Sequence, residues 1–156
     1  MMISRLRHTT EERGQALVET ALSLMILIIL LMGMVDFGLA FAHRIALTNA
    51  SRFGARYASR NPRQPTLIYE GTVESLRGTI VLPDDYDMAD PDDRLEIIIV
   101  CENNGTEIDC TDATRGHQIR VTVAYRYAPL FGGLLGITDD LTIGSSTLMY
   151  ISWKPA

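Results

Sequence analysis

The side chains that could carry chemistry in this 156-residue chain are few and scattered. Its three histidines, His8, His43 and His117, stand far apart, and no His-Glu metal motif or glycine-rich phosphate loop accompanies them. Ser145 and Ser146 offer hydroxyls, but their sequence context holds no base to activate them. Six aspartates between Asp84 and Asp93 could furnish the carboxylate oxygens that a hard cation such as calcium requires. They lack the alternate spacing, the glycine and the distant glutamate of an EF-hand, and Pro83 and Pro91 favour an ordinary solvated loop. Cys101 and Cys110 make an even pair, which in an exported domain favours a disulfide over two free thiols. The remaining unusual group is Glu19, a carboxylate within an apolar run. No enzyme, cofactor, resident metal or small-molecule substrate is expected from this inventory.

Glu19 directs attention to the element that holds it. From Ala16 to Val35 it is the only charged residue. Twenty helical residues rise about 30 Å, the thickness of a bilayer's hydrocarbon core. The run therefore reads as a membrane-spanning helix. Arg5, Arg7, His8 and Arg13 precede it, and positively charged flanks stay on the cytoplasmic side, so the C-terminal part is expected outside. Ala40-Phe41-Ala42 has the small-x-small form of a signal-peptidase site, but the apolar run is longer than such peptides use, and Glu19 and Asp36 interrupt or follow it. A retained anchor is the better reading. The whole chain carries a formal charge of −5; the first fourteen residues hold three arginines and two glutamates, which leaves −6 from Gln15 onward. That balance argues against nucleic acid and anionic lipid headgroups as partners of the soluble part.

A carboxylate inside a membrane helix costs about 2.5–3.5 kcal/mol at the bilayer centre and less near the edge. Glu19 either snorkels to the cytoplasmic interface or meets a counter-charge. Beyond Val35 no proline occurs until Pro62, so one helix is expected from about Glu12 to Ser59. Gly33, Gly38, Ala42 and Ala46 set small residues at near four-residue spacing, suited to close packing against neighbouring subunits. Ala50, Gly54 and Ala58 extend that row and equally suit packing on the chain's own domain. His43 reads as an exposed or interfacial side chain, and Arg44, Arg52, Arg56 and Arg60 share one solvated helical face.

A second helix is expected over Leu67 to Arg77, capped by Thr66, with Leu67, Ile68, Val73 and Leu76 as its apolar stripe. Strands follow. Leu95 to Cys101 is β-branched, Asn104-Gly105 signals a hairpin turn, and Thr106 to Cys110 returns. A tight Asn104-Gly105 turn sets Cys101 opposite Ile108, so bridging to Cys110 calls for a longer loop or a bulge. Gln118 to Tyr127 alternates cleanly, with Ile119, Val121, Val123, Tyr125 and Tyr127 on one face. Pro129 to Gly136 reads as a loop with apolar Leu130, Phe131, Leu134 and Leu135, and Leu141 to Trp153 as a last strand with a bulge at Gly144. The expected fold is α+β: a long N-terminal helix, half transmembrane and half extramembrane, packed on a small antiparallel sheet.

Three stretches of the helix carry a family resemblance: Arg13-Gly14-Gln15-Ala16-Leu17-Val18-Glu19, Met34-Val35-Asp36-Phe37-Gly38, and Ala46 to Ala58. They resemble the TadE-like pseudopilins of tight-adherence, Flp-type pilus systems. The resemblance implies a pilin-like, bitopic membrane protein, processed after a glycine by a prepilin peptidase and needed to build the pilus. It maps the processing site to Gly14 and Gln15 and the motif glutamate to Glu19; Thr20 follows, where related pilins carry an aromatic. The amine created at Gln15, on the same or a neighbouring subunit, would be the counter-charge to Glu19.

The resulting expectation divides the chain into a cytoplasmic leader, 1–14, that is cleaved, a transmembrane helix, 15–36, and an extracytoplasmic domain, 37–156. The role is that of a minor pilin in the inner or cytoplasmic membrane or the pilus, its partners being other pilins, the assembly machinery, the prepilin peptidase and membrane lipid. The alternative is an unprocessed single-pass scaffold of a secretion apparatus or a surface-binding protein.

Overall fold

A computed structural model describes residues 4–77, 94–136 and 139–152, with the side chains of the first helix described from Gly14 onward. The aspartate-rich stretch and Trp153 lie outside the described residues, so the loop reading of Asp84 to Asp93 has no counterpart here. The chain forms two compact units, residues 1–38 and 39–156.

Helix α1 runs from Ser4 to Arg60. It begins eight residues before the expected start, because nothing between Ser4 and Glu12 breaks a helix: the segment holds arginine, leucine and glutamate and neither proline nor glycine. In the first unit the apolar positions are exposed, among them Leu24, Met25, Ile26 and Leu30. A helix apolar all round and exposed all round is what a lipid environment accommodates.

In the second unit, the part of α1 from Leu39 onward lies on a four-stranded antiparallel sheet of order β2-β1-β3-β4, in which β1 is Leu95–Asn103, β2 Thr106–Ile108, β3 Gln118–Tyr127 and β4 Leu141–Tyr150. An α+β architecture results. The alternation in β3 is met residue by residue: Ile119, Val121, Val123, Tyr125 and Tyr127 are buried, while Arg120 and Arg126 are exposed. Leu95, Ile97, Ile99 and Cys101 occupy the same face of β1.

Three pairs of contacts give the direction in which α1 crosses the sheet. His43 meets Tyr125 and Tyr127, Ser51 meets Ser145 and Thr147, and the Ser59 carbonyl accepts from the Ser152 amide at 2.9 Å. The helix thus advances alongside β4 and antiparallel to β3. The last contact also satisfies one of the carbonyls that a helix C-terminus leaves without an intrahelical donor.

Helix α2, Pro65–Leu76, starts two residues before the expected Leu67. Pro65 occupies the first turn, where its missing N–H is no loss, and Gln64 takes the cap position without a side-chain hydrogen bond. Thr66 is therefore inside the helix and does not cap it. Ile68, Tyr69, Thr72, Val73 and Leu76 form the buried stripe, and Leu67 is exposed. The period of 3.6 places 68, 72 and 76 on one line, which leaves 67 on the flank.

The hairpin turn is tight: Asn104 and Gly105 have φ of 52° and 82°, the positive values a two-residue turn of this twist requires. Cys101 accordingly faces Ile108. No longer loop or bulge is needed for the Cys101–Cys110 bond, whose Cα atoms are 5.2 Å apart. The chain instead leaves β2 after Ile108 and folds back through a one-turn 3-10 helix, Cys110–Asp112, capped by the Asp109 carboxylate, which accepts from the Thr111 amide at 2.8 Å. The bulge expected at Gly144 is absent as well. Gly144 pairs with Ala124 in an unbroken register, since a small residue opposite a small residue distorts nothing. β4 ends at Tyr150, and a short helix α3, Gly132–Leu135, sits within the expected loop.

Gly54 sets the approach of α1 to its neighbours. A methyl built there would lie 2.5 Å from Thr72 Oγ1 and 3.1 Å from Val121 Cγ1, and Thr72 Oγ1 is held by a 2.6 Å hydrogen bond to the Ile68 carbonyl. The helix-propensity gain of Gly→Ala is about 1 kcal/mol, whereas overpacking a core costs about 1–3 kcal/mol. Gly54→Ala is expected to lower the denaturant midpoint of the full-length protein in detergent. Gly71→Ala, which meets only the half-exposed Phe53 ring at 3.3 Å, is expected to hold or raise it.

Candidate assembly segment

The chemistry singled out in the sequence gathers on α1, and the structure separates it into two groups. Gly14, Gln15 and Glu19 lie on exposed helical positions of the first unit. Glu19 stands five positions, about 7–8 Å of helical rise, beyond Gly14. Thr20 Oγ1 donates to the Ala16 carbonyl at 2.8 Å. That bond satisfies a hydroxyl that hydrocarbon would otherwise leave without a partner. Gly33 is half-buried and Gly38 exposed in the first unit, and an added Cβ at either would meet open space.

The second group belongs to the sheet unit. Ala42 is exposed, whereas Ala46 is 8% exposed and packs in the core with Ala50, Ala55 and Ala58. Ala46 thus serves its own domain. Arg44, Arg52, Arg56 and Arg60 are all exposed.

His43 differs from its reading as an exposed or interfacial side chain. It is half-buried, with its ring centroid 5.4 Å from that of Tyr125 and 5.1 Å from that of Tyr127. Its Nδ1 is buried without a hydrogen-bond partner. Burial holds the imidazole below its ordinary pKa, because the charged form would lose hydration. A lone histidine on a helix gives no indication of its facing until the sheet's position is known.

The two serines considered for catalysis serve packing. Ser145 accepts from Ser51 Oγ at 3.3 Å, and Ser51 also lies 2.9 Å from Thr147 Oγ1. Ser146, on the other face, accepts from Thr122 Oγ1 at 3.0 Å. The fully buried Ser51 is in this way satisfied at the helix–sheet contact. Sequence reasoning missed it, and the only clue was a small polar residue in a row of alanines. Among the described residues no three His, Cys, Asp or Glu side chains are grouped so as to hold a metal ion.

One apolar helix of membrane-spanning length, near the N-terminus and continuing into an α+β unit, is compatible with a single-pass membrane protein. Residues 14–56 match the family of TadE-like proteins. That family is pilus-associated and structural, and it is not known for enzymes. The matched stretch holds Gly14, Gln15, Glu19, the apolar run and the small residues as far as Gly54. No curated protein and no solved structure matches the chain.

The environment of His43 gives a test of the helix–sheet contact. Its depressed pKa means that the unfolded chain binds a proton first, so stability is full above about pH 6.5 and is lost as pH falls toward the folded-state value. Wild type is expected to lose thermal stability between about pH 7 and pH 5 more steeply than His43→Phe, measured by circular dichroism in detergent. Parallel curves for the two would contradict the burial of the neutral imidazole.

Proposed function

We propose that the chain is a minor pilin, a bitopic subunit that helps assemble a tight-adherence pilus. The observation that carries the reading is the TadE-like match over 14–56, which begins at Gly14 and includes the apolar run from Ala16 to Val35, whose only charged residue is Glu19. Processing after Gly14 leaves an amine at Gln15. The segment from Ala16 to Val35 then packs laterally against other pilin helices, with Glu19 meeting an N-terminal amine of its own or a neighbouring subunit. Such a pair lowers the cost of a carboxylate in hydrocarbon, and Gly33 and Gly38 allow a second helix to come close.

The arginines before Gly14 hold the leader in the cytoplasm, so residues 37–156 lie outside, where the Cys101–Cys110 bond persists. The subunit's contribution is mechanical: its helix enters a bundle, and its sheet presents a surface beyond the membrane. A stationary scaffold that keeps residues 1–14 would have no use for a carboxylate one turn from a new N-terminus.

Glu19→Gln tests this reading. It preserves shape and removes the charge, and pilus formation in a strain carrying it is expected to fall at least about tenfold, the loss of a partly desolvated ion pair of about 1.4 kcal/mol or more. Unaltered pilus assembly together with unaltered processing would reduce Glu19 to a snorkelling side chain and contradict the proposal.

A further inference from the structure

We infer that the tip of the β1–β2 hairpin is a site of spontaneous covalent modification: the Gly105 amide nitrogen attacks the Asn104 carboxamide, and water opens the resulting succinimide to isoaspartate and aspartate. The inference concerns the chain's own backbone and is independent of the pilin reading above. Its first support is sequence. The chain has four asparagines, Asn49, Asn61, Asn103 and Asn104, and Asn104 alone precedes a glycine. Asn49 precedes Ala50 within α1, where the helical ladder engages the following amide. Asn61 precedes Pro62, which has no N–H to give up. Asn103 precedes Asn104, whose side chain crowds the amide as glycine does not.

The second support is geometry. Asn104 and Gly105 are both exposed, at the apex between β1 and β2. The last pair of the ladder is Asn103 with Thr106, so the two apical residues stand outside it. Among the described residues the Gly105 N–H donates to no backbone acceptor, and no hydrogen bond holds the Asn104 carboxamide. A Cβ built on Gly105 would meet nothing within 4 Å, so water and hydroxide reach the amide freely. Nucleophile and leaving group are thus adjacent, hydrated and unengaged.

The atoms balance without an enzyme or cofactor. Base removes the Gly105 amide proton, the nitrogen bonds to Asn104 Cγ, and the side-chain nitrogen leaves as ammonia with protons from water. One water then opens the imide. Cleavage at the main-chain carbonyl of Asn104 gives isoaspartate, and cleavage at Cγ gives aspartate. Either product puts a new carboxylate beside Glu102 and Glu107, which already face each other across the strands. Isoaspartate also adds a methylene to the main chain, which a two-residue turn with φ of 52° and 82° does not accommodate. The Cys101–Cys110 bond keeps β2 attached, so the change stays at the hairpin tip while β1, β3 and β4 remain paired. The product is a charge-altering mark that accumulates with age on an exposed surface.

Peptide mapping in heavy-oxygen water tests the inference on the full chain. The protein is held in detergent at mildly alkaline pH with its disulfide intact, its fold followed by circular dichroism. Mildly acidic trypsin digestion then cuts after Arg94 and Arg115 and releases the hairpin with the disulfide inside. Asn104 is expected to convert at least about tenfold faster than Asn103 or Asn49, a barrier lower by about 1.4 kcal/mol or more. Each product should carry one heavy oxygen, isoaspartate should exceed aspartate, and the rate should rise with pH. The same peptide, reduced and released before the incubation, serves as the unconstrained control.

Conversion of the free peptide without conversion in the folded protein overturns the inference, because the turn would then protect Asn104. Comparable conversion at Asn103 overturns it by removing the selectivity of the Asn104-Gly105 pair. Aspartate formed without isoaspartate overturns it as well, since direct hydrolysis would have bypassed the succinimide.

Discussion

A helix can lie against a β-sheet only as closely as its facing side chains permit, and α1 meets this constraint with Ala46, Ala50, Ser51, Gly54, Ala55 and Ala58. With those residues small, the ridge of the helix sinks onto Val121, Val123 and their neighbours, and α2 comes in beside it until Thr72 touches Gly54. Larger side chains there would lift the helix off the sheet and open the core to water. The order of the sheet follows from the same demand. β3, central and most regular, supplies five buried residues beneath the helix, and β1 and β4 extend the apolar face to either side. Ser51, Ser145 and Thr147 put three hydroxyls into this contact, which is tolerable because they bond to one another and to the Thr48 carbonyl.

The same helix answers two different solvents. Its apolar run has exposed leucines and isoleucines on every side, while beyond Leu39 a row of mostly small residues, Ala46, Leu47, Ala50, Ala55 and Ala58, is buried in the core of the sheet unit and Arg44, Arg52, Arg56 and Arg60 are exposed. The change of pattern falls where the chain passes from the first unit to the second. Side-chain distribution makes the first part compatible with a membrane span and the second with a folded domain. The TadE-like match spans this change, from Gly14 to Arg56, so the resemblance concerns the junction of an apolar segment with a packing face.

Much of this was legible in the residues, and the exceptions have physical causes. β3 could be read to its boundaries because one face is apolar throughout and the other is mostly polar, with Gln118, Arg120, Thr122 and Arg126, a contrast that survives any tertiary arrangement. Asn104-Gly105 was legible because few other dipeptides adopt two positive φ angles. Three features depended on neighbours that sequence does not supply: the facing of His43, the exchange of Leu67 for Tyr69 in the stripe of α2, and the path from Ile108 to Cys110. In the last case the tight turn was read correctly, but the chain's exit into a 3-10 turn was not, since Asp109 as a cap becomes evident only once the direction after β2 is fixed. Gly14, Gln15 and Glu19 were legible by type, a lone carboxylate near a glycine at the edge of an apolar run. The role proposed for them, between chains and in proteolysis, is one that the fold of one chain does not determine.

The central claim is that α1 enters its working state with Gln15 as its first residue. The intact mass of the native protein, extracted from membranes and from purified pili with its disulfide unreduced, addresses that directly. The account predicts a species lacking residues 1–14 and beginning at Gln15. A chain that keeps residues 1–14 in both fractions would contradict it.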